Sequence, residues 1–428
     1  MERLSKEFRH KSRADKLQEL EEKSWLTSEN RDMLLNHPLI PEEIANSLIE
    51  NVIGQGALPV GLLPEIVVDE KSYVVPMMVE EPSVVAAASY GAKLVNQTGG
   101  FKVVESERLM IGQIVFDDVE DTAQLAKTIQ GLEPKIKEIA DEVYPSIIKR
   151  GGGYRRIEID TFPAEQLLSL KVYVDTKDAM GANMLNTILE GITAYLKNEL
   201  EQVDILMSIL SNHATASVVK VQGEIDVDAL TKNGRDGKEV AHRMERASKL
   251  AQVDIHRAVT HNKGVMNGIH AVVLATGNDT RGAEASAHAY ASKDGQYRGI
   301  ATWHYDEQRQ KLVGTIEVPM TLATVGGGTK VLPIAQASLD LMNVESAQEL
   351  GHVVAAVGLA QNFSACRALV SEGIQQGHMR LQYKSLAIVV GAKGDEIVKV
   401  ADMLQQEPRA NAQVAETILN QLRSESNE

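Results

Sequence analysis

Apolar and polar positions follow two rhythms along this chain, and the changes of rhythm divide it. Up to about residue 65 the spacing reads as helices. Pro41 opens one of them, with Glu42 and Glu43 in the first turn, where the positive helix end favours acid; it is expected to run through IANSLIENVIG to Gly54. A Gly/Pro-rich bend, GQGALPVGLLP, follows. Residues 66–79 read as two strands around a DEKS turn. EEPSVVAAASYGAKLVNQTGG then reads as a helix with Pro82 in its first turn and Gly99-Gly100 at its end, so Glu81 falls at a strand-to-helix junction.

From residue 109 to residue 213 the pattern is different. IGQIVF reads as a strand, and an acidic-start helix is expected from about Asp118 to Ile139. Gly151-Gly152-Gly153 breaks the chain, YRRIEIDTF and LLSLKVYVD alternate as strands, DAMGANMLNTILEGITAYLKNEL reads as a helix, and DILMSIL as a last strand. The order β-α-β-β-α-β is the ferredoxin-like pattern. The predicted fold class is α+β. A large mixed domain (1–108 and 214–374) carries an inserted ferredoxin-like domain (109–213), and residues 375–428 form a C-terminal mobile flap able to close over a site.

In the second part of the large domain, strand VVKVQGEID leads to a helix, GKEVAHRMERASKLAQVDIHRA. HAVVLAT reads as a buried strand, AEASAHAYAS as a small-residue helix, and two strands flank DEQRQ. A glycine-rich loop, VGGGTKVLP, precedes a long buried helix running from SAQEL to VSEG. The C-terminal unit reads as one strand, LAIVVG, and two amphipathic helices.

Composition narrows the function. With 428 residues, 43% of them hydrophobic and only 4% aromatic, the chain can build a sizeable aliphatic core. A net charge of -15 argues against a nucleic-acid or membrane-surface binder, because phosphates are repelled overall. The single cysteine, Cys366, forms no internal disulfide, no metal-binding cysteine cluster is present, and a reducing cytoplasm fits. The charged N-terminus lacks an apolar signal core, and no stretch approaches the roughly 20 uninterrupted apolar residues of a membrane span.

The candidate chemistry is acid and base without a metal or a nucleophile motif. Asp178 is expected to cap the DAMGAN helix, with Gly181 giving backbone access at its positive end, where phosphate binds; a merely capped, close-packed helix is the alternative. Between Asp254 and Arg281 lie Arg257, His261, Lys263, Asn267, Asn278 and Asp279 among apolar residues. Lys263 and Asp279 read as a buried pair, either structural or set to polarise a carbonyl. Glu80-Glu81 alone is a dipole-complementing pair, and His378 in GHM alone is a surface or structural histidine.

Taken together, ENVIGQGALPVGLLP, VEEPSVVAAAS, DTKDAMGANMLNT, HNKGVMNGI, ATGNDTR, VGGGTKVLP and GIQQGHM resemble 3-hydroxy-3-methylglutaryl-coenzyme A (HMG-CoA) reductases, in particular the class II, mainly bacterial, branch. The resemblance runs in order along nearly the whole chain. It implies reduction of HMG-CoA by two hydrides to mevalonate and coenzyme A, in the mevalonate route to isoprenoids. It implies catalytic roles for Glu81, Lys263, Asp279 and His378, the last protonating the departing CoA. Ser83, Arg257 and Asn267 would hold the HMG moiety. Asp178, Ala179, Met180, Gly181, Ala182 and Asn183 would hold the cofactor. NADPH is the expected donor and NADH the alternative, since Asp141 and Glu142 favour a free ribose hydroxyl while Lys149 and Arg150 favour a 2′-phosphate. No metal is expected. The resemblance also implies a homodimer with shared active sites. The same catalyst run oxidatively, and a non-redox acyl-CoA-binding protein or lyase, are the alternatives.

Overall fold

The structure, a computed structural model, describes residues 4, 5, 7, 8, 11–36, 40–200, 203–231, 234–371 and 373–425, with the backbone alone at 374–381 and 425. The N-terminal part holds helices α1 (Arg13–Glu22), α2 (Ser28–Asn36) and α3 (Glu42–Leu48), strands β1 (Val60–Val68) and β2 (Lys71–Met78), α4 (Val84–Asn96) and β3 (Lys102–Ser106). Next come β4 (Met110–Asp117), α5 (Thr122–Gly131), α6 (Glu133–Val143), the single turn α7 (Pro145–Ile148), β5 (Gly153–Phe162), β6 (Leu167–Asp175), α8 (Ala182–Glu199) and β7 (Asp204–Ser211). The chain continues through β8 (Val218–Asp226), α9 (Gly237–Val253), α10 (Ile255–Ala275), α11 (Thr280–Tyr290), β9 (Ala301–Asp306), β10 (Lys311–Pro319), α12 (Gly328–Val331), α13 (Pro333–Met342) and α14 (Ala347–Val370). It ends in α15 (Ile374–Val389), α16 (Asp395–Leu404) and α17 (Ala412–Glu425).

The fold is mixed α and β with antiparallel sheets: β1-β2, β3-β8-β10-β9 and β5-β6-β4-β7. The largest core gathers around α14, whose buried Val353, Val354, Val357 and Phe363 meet α4, α10 and the β8–β10 sheet. By length and composition α14 resembles a membrane span, but 72% of its most apolar window is buried inside the protein. A separate core lies between the β5-β6-β4-β7 sheet and α5, α6 and α8, and a third joins α15, α16 and α17.

Several sequence expectations are corrected. The N-terminal helical rhythm ends earlier: α3 stops at Leu48 rather than Gly54, and β1 begins at Val60, where Val60 pairs with Met78. The helix expected over 118–139 is broken at Leu132, because Pro134 sits in the first turn of α6 and cannot donate into a continuous ladder. The helix expected to end near Ala258 breaks at Asp254, whose carboxylate accepts from the backbone N–H groups of His256 and Arg257 and so starts α10. HAVVLAT is no strand but the last part of α10, and LAIVVG belongs mostly to helix α15. Asp178 does not cap α8. Gly181 does, at φ 88°, and the Asp178 carboxylate instead accepts from Ala347 N–H at the start of α14.

Candidate active site

Two helices packed on α14 bring three of the candidate residues, Glu81, Lys263 and Asn267, together. A Cβ on Gly91 of α4 would lie 2.2 Å from the Ala360 carbonyl oxygen, so only glycine permits this approach of α4 to α14. Val265, Ile269 and Val272 of α10 are fully buried at spacings of four and three residues, which turns that face inward. Lys263, Asn267 and His270 repeat the same spacing two positions earlier and therefore lie on the opposite face. The segment before α4 delivers Glu81 to this outer face.

There Lys263 Nζ lies 2.6 Å from Glu81 Oε2, and Asn267 Nδ2 donates to Glu81 Oε1 at 3.3 Å. The pair joins positions 182 residues apart. Its side chains are 60% and 38% exposed, and pairs this accessible contribute only about 0–1 kcal/mol to stability. Stability therefore gives little reason for placing this lysine and this glutamate here, whereas proton and carbonyl chemistry needs both. The buried Lys263–Asp279 pair read from the sequence is not formed: Lys263 is exposed and pairs with Glu81.

Ser83 precedes α4 with φ 72°, a left-handed conformation uncommon for a side-chain-bearing residue, and its hydroxyl makes no capping bond. The helix thus starts at Val84, with Pro82 outside its first turn. Asp279 caps α11, accepting from the N–H groups of Arg281 and Gly282, both at 3.1 Å. Among the described residues no hydrogen bond joins it to Lys263 or Glu81. A Cβ on Gly282 would lie 2.9 Å from Asp279 Oδ2 and 3.6 Å from Asn212 Oδ1, so the amide of Asn212 faces the same spot. Sequence reasoning missed Asn212; its one signal is a polar residue directly after the last strand of the middle region.

Arg257 lies near the start of α10, beside His261 and Cys366, and among the described residues no hydrogen bond joins it to Glu81, Lys263 or Asn267. Burial and the Arg257 charge hold the His261 ring down to about 4, while burial pushes the Cys366 thiol up to about 11, which leaves that sulfur unreactive. His378 lies on α15, inside the helix together with Gly377; its side chain is outside the described residues.

The DAMGAN, GND and VGGGTK segments meet. Ala323 N–H donates to Asn278 Oδ1 at 2.7 Å, Thr324 N–H donates to the Asp178 carbonyl at 3.0 Å, and Ala179 bridges Val325. Gly181, Ala182 and Asn183 open α8, whose first-turn N–H groups have no partner within the helix. Among the described residues no three metal-ligating side chains converge. A cavity of about 1830 Å³ under α1–α3 takes in Gly54–Gly61, Tyr90 and Lys93, but none of Glu81, Lys263 or Asp279 lines it.

Residues 10–383 match the family model described as hydroxymethylglutaryl-coenzyme A reductase. The chain is 40% identical over 413 residues to the 3-hydroxy-3-methylglutaryl-coenzyme A reductase of Archaeoglobus fulgidus, covering 96% of this chain and 92% of that protein. It is 36% identical to a probable reductase of the same name from Borreliella burgdorferi, over 91% of this chain and 88% of that one. A solved reductase from Streptococcus pneumoniae superposes with a TM-score of 0.83 at 42% identity, covering 98% of this chain and 100% of that one. The class II enzyme from the same organism, bound to NADPH in open conformations, gives a TM-score of 0.81 at 43% identity, over 96% of this chain and 100% of that one. The Glu81–Lys263 arrangement and these likenesses lead to one conclusion: the chain belongs to the hydroxymethylglutaryl-coenzyme A reductase family, in its class II branch.

Proposed function

We propose that this chain reduces HMG-CoA to mevalonate and coenzyme A, with two hydrides from NADPH, in the biosynthetic direction. The observation that carries the reading is the Glu81–Lys263–Asn267 cluster, an acid and a cation held together on an exposed helix face. The nicotinamide supplies the hydrides. Lys263 stabilises the negative charge that develops on the thioester oxygen, and Glu81 gives that oxygen its proton. Asp279 holds charge at the edge of the same site. His378 protonates the CoA thiolate when the C–S bond of the hemithioacetal breaks, which keeps the thiolate from adding back to mevaldehyde. Ser83, Arg257 and Asn267 hold the HMG portion, Arg257 by pairing with its carboxylate.

In this reading residues 109–213 form a ferredoxin-like cofactor domain and 178–183 its cofactor segment. The segment suits a dinucleotide: Gly181, at φ 88°, turns the chain into α8, and the first amides of α8 are free of helix partners. Residues 375–428 act as a flap, in keeping with their separate core. The exposure of Lys263 and Glu81 argues that one chain does not enclose its own chemistry, which needs a water-poor site. A run of exposed Leu48, Ile49, Ile53 and Leu58 offers apolar surface for a second copy. A homodimer with shared sites, working in the cytoplasm, satisfies both observations.

The test is purified protein with HMG-CoA, following absorbance of NADPH and, in a parallel assay, NADH, with free thiol titrated at the end. Two reduced cofactors should disappear for each thiol released. A protein that binds HMG-CoA yet oxidises neither nicotinamide refutes the reading.

A further inference from the structure

The segment Met320–Val325, which leaves β10, is bonded on both sides. Asn278, next to Asp279, takes Ala323 with two hydrogen bonds, accepting from its N–H at 2.7 Å and donating to its carbonyl at 3.1 Å. The other side meets the 176–181 loop through Thr324 and Val325. Arg108 spans that second junction. Its Nε donates to the Lys177 carbonyl at 2.8 Å, its Nη2 to the Ala179 carbonyl at 3.0 Å and the Leu322 carbonyl at 2.6 Å, and its Nη1 to the Met320 carbonyl at 3.4 Å. Two acceptors come from the loop and two from the segment. All four are main-chain oxygens, so the bonds fix backbone rather than pair charge with charge.

A guanidinium suits this task, because its planar fork holds several acceptors at fixed angles and a lysine ammonium does not. Burial lowers the Arg108 pKa from its ordinary value, while Asp178 and Asp175 favour the charge from further away. A desolvated cation held without a bonded carboxylate is costly unless its hydrogen bonds are well made. Arg108 also sits at a chain crossing: the next residue, Leu109, donates its N–H to the Ala216 carbonyl at 2.7 Å, and Ser217 Oγ donates to the Leu109 carbonyl at 2.7 Å. The Arg108–Leu109 stretch, residues 216–217, the 176–181 loop and Met320–Val325 therefore meet around this arginine.

We propose that Arg108 is a positioning residue that fixes the cofactor segment relative to the Asp279 turn, with Met320–Val325 as the spacer between them. The hydride donor and the substrate carbonyl then meet at a set distance. The inference rests on the reading of residues 178–183 as the cofactor segment. Hydride transfer is steep in distance, and a misplacement of about 1 Å far from the reacting atoms costs on the order of 100-fold in rate.

The experiment compares the whole protein with Arg108→Lys and Arg108→Met. NADPH affinity is read by fluorescence titration, and turnover is measured with NADPH and with NADPH deuterated at the transferred position. Both variants should bind NADPH about tenfold more weakly and turn over on the order of 100-fold more slowly. Their isotope effect should rise, because hydride transfer becomes rate-limiting, while the KM for HMG-CoA stays within about twofold of the parent. A residue that only stabilised the fold would lower the melting temperature and leave the isotope effect and the activity per folded molecule unchanged; that result overturns the proposal. If the methionine variant does not fold, the lysine variant, which keeps a donor, decides the matter. Gly181→Val is run beside them, since a Cβ there would lie 2.3 Å from Thr176 Cγ2. If Gly181→Val leaves NADPH binding intact, the cofactor reading of the loop fails and the proposal with it. If it abolishes binding while the Arg108 variants bind and turn over normally, the Arg108 proposal alone fails.

Discussion

Asp279 has an observed task that can be separated from its proposed one. Its carboxylate caps α11 by accepting from Arg281 and Gly282, and the Asn212 amide also lies close to the Gly282 backbone. Asparagine caps a helix about as well as aspartate, so Asp279→Asn should change stability by less than about 1 kcal/mol. In the proposed reaction the same substitution removes a charge at the reacting centre, and turnover should fall on the order of 100-fold or more. Chemical denaturation and initial rates on one preparation separate the two effects; near-normal turnover would leave Asp279 with the cap alone. At this scale the place of Glu81 between strand and helix was readable, because a proline-bearing junction is a local signal. Glu80 and Glu81 alone read as a dipole-complementing pair, and only the family resemblance marked Glu81 as a site residue. The partner of Lys263 was not readable, because pairing across 182 residues is decided by packing on α14 and not by neighbours in sequence. Asn212 left only a polar residue at a strand end.

At the scale of elements, α10 shows both the strength of periodicity and its failure. Its polar row of Lys263, Asn267 and His270 opposes the buried row of Val265, Ile269 and Val272, which is a helical pattern in full. Read piecewise, the run HAVVLAT with its two valines looked like a strand, because short apolar runs do not separate a buried strand from a buried helix. The outer end of this row ties α10 to α11: His270 Nδ1 lies 3.1 Å from Glu284 Oε1, and His288 Nε2 lies 3.3 Å from Oε2. The hydrogen bond to Glu284 raises the His270 pKa above 6.5, against the opposing effect of burial, with Glu284 and Glu80 adding charge attraction. A group with a raised folded pKa stabilises fully below its unfolded value and loses that contribution as pH rises through the folded one. The stability advantage of the parent over His270→Gln should therefore be greatest near about pH 6 and shrink towards about pH 9. Urea midpoints across that range measure it, and an advantage that grows with pH would show that the pair does not act this way.

At the scale of the whole molecule, the middle region was the most readable part, since four short strands and their helices sit close in sequence and each keeps its own period. In the surrounding body the long buried helix α14 was legible from its unbroken apolar run, whereas the β3-β8-β10-β9 sheet was harder, because its strands come from distant segments. The shared-site proposal is tested by mixing chains. In the proposed reaction Lys263→Ala disables the substrate half of the site and Gly181→Val the cofactor half. If each site draws on two copies, a mixed dimer contains one wholly intact site, and randomly mixed dimers should recover roughly a quarter of the parent activity. Verified mixed dimers without activity would show that each chain supplies its own site. The crossing beside Arg108 has a consequence of another kind. β3 and β8 are antiparallel neighbours, Ser106 opposite Val219, and Leu109 N–H is already bonded to the Ala216 carbonyl. To the surrounding body, everything between these strands is topologically the tip of one β-hairpin. Such a tip can lengthen, shorten or be exchanged in descent without moving the strands at its base, because the ends of the inserted chain never separate. If this unit handles the dinucleotide as proposed, a whole cofactor domain joined through one hairpin tip can be gained or exchanged without disturbing the register of the strands at its base.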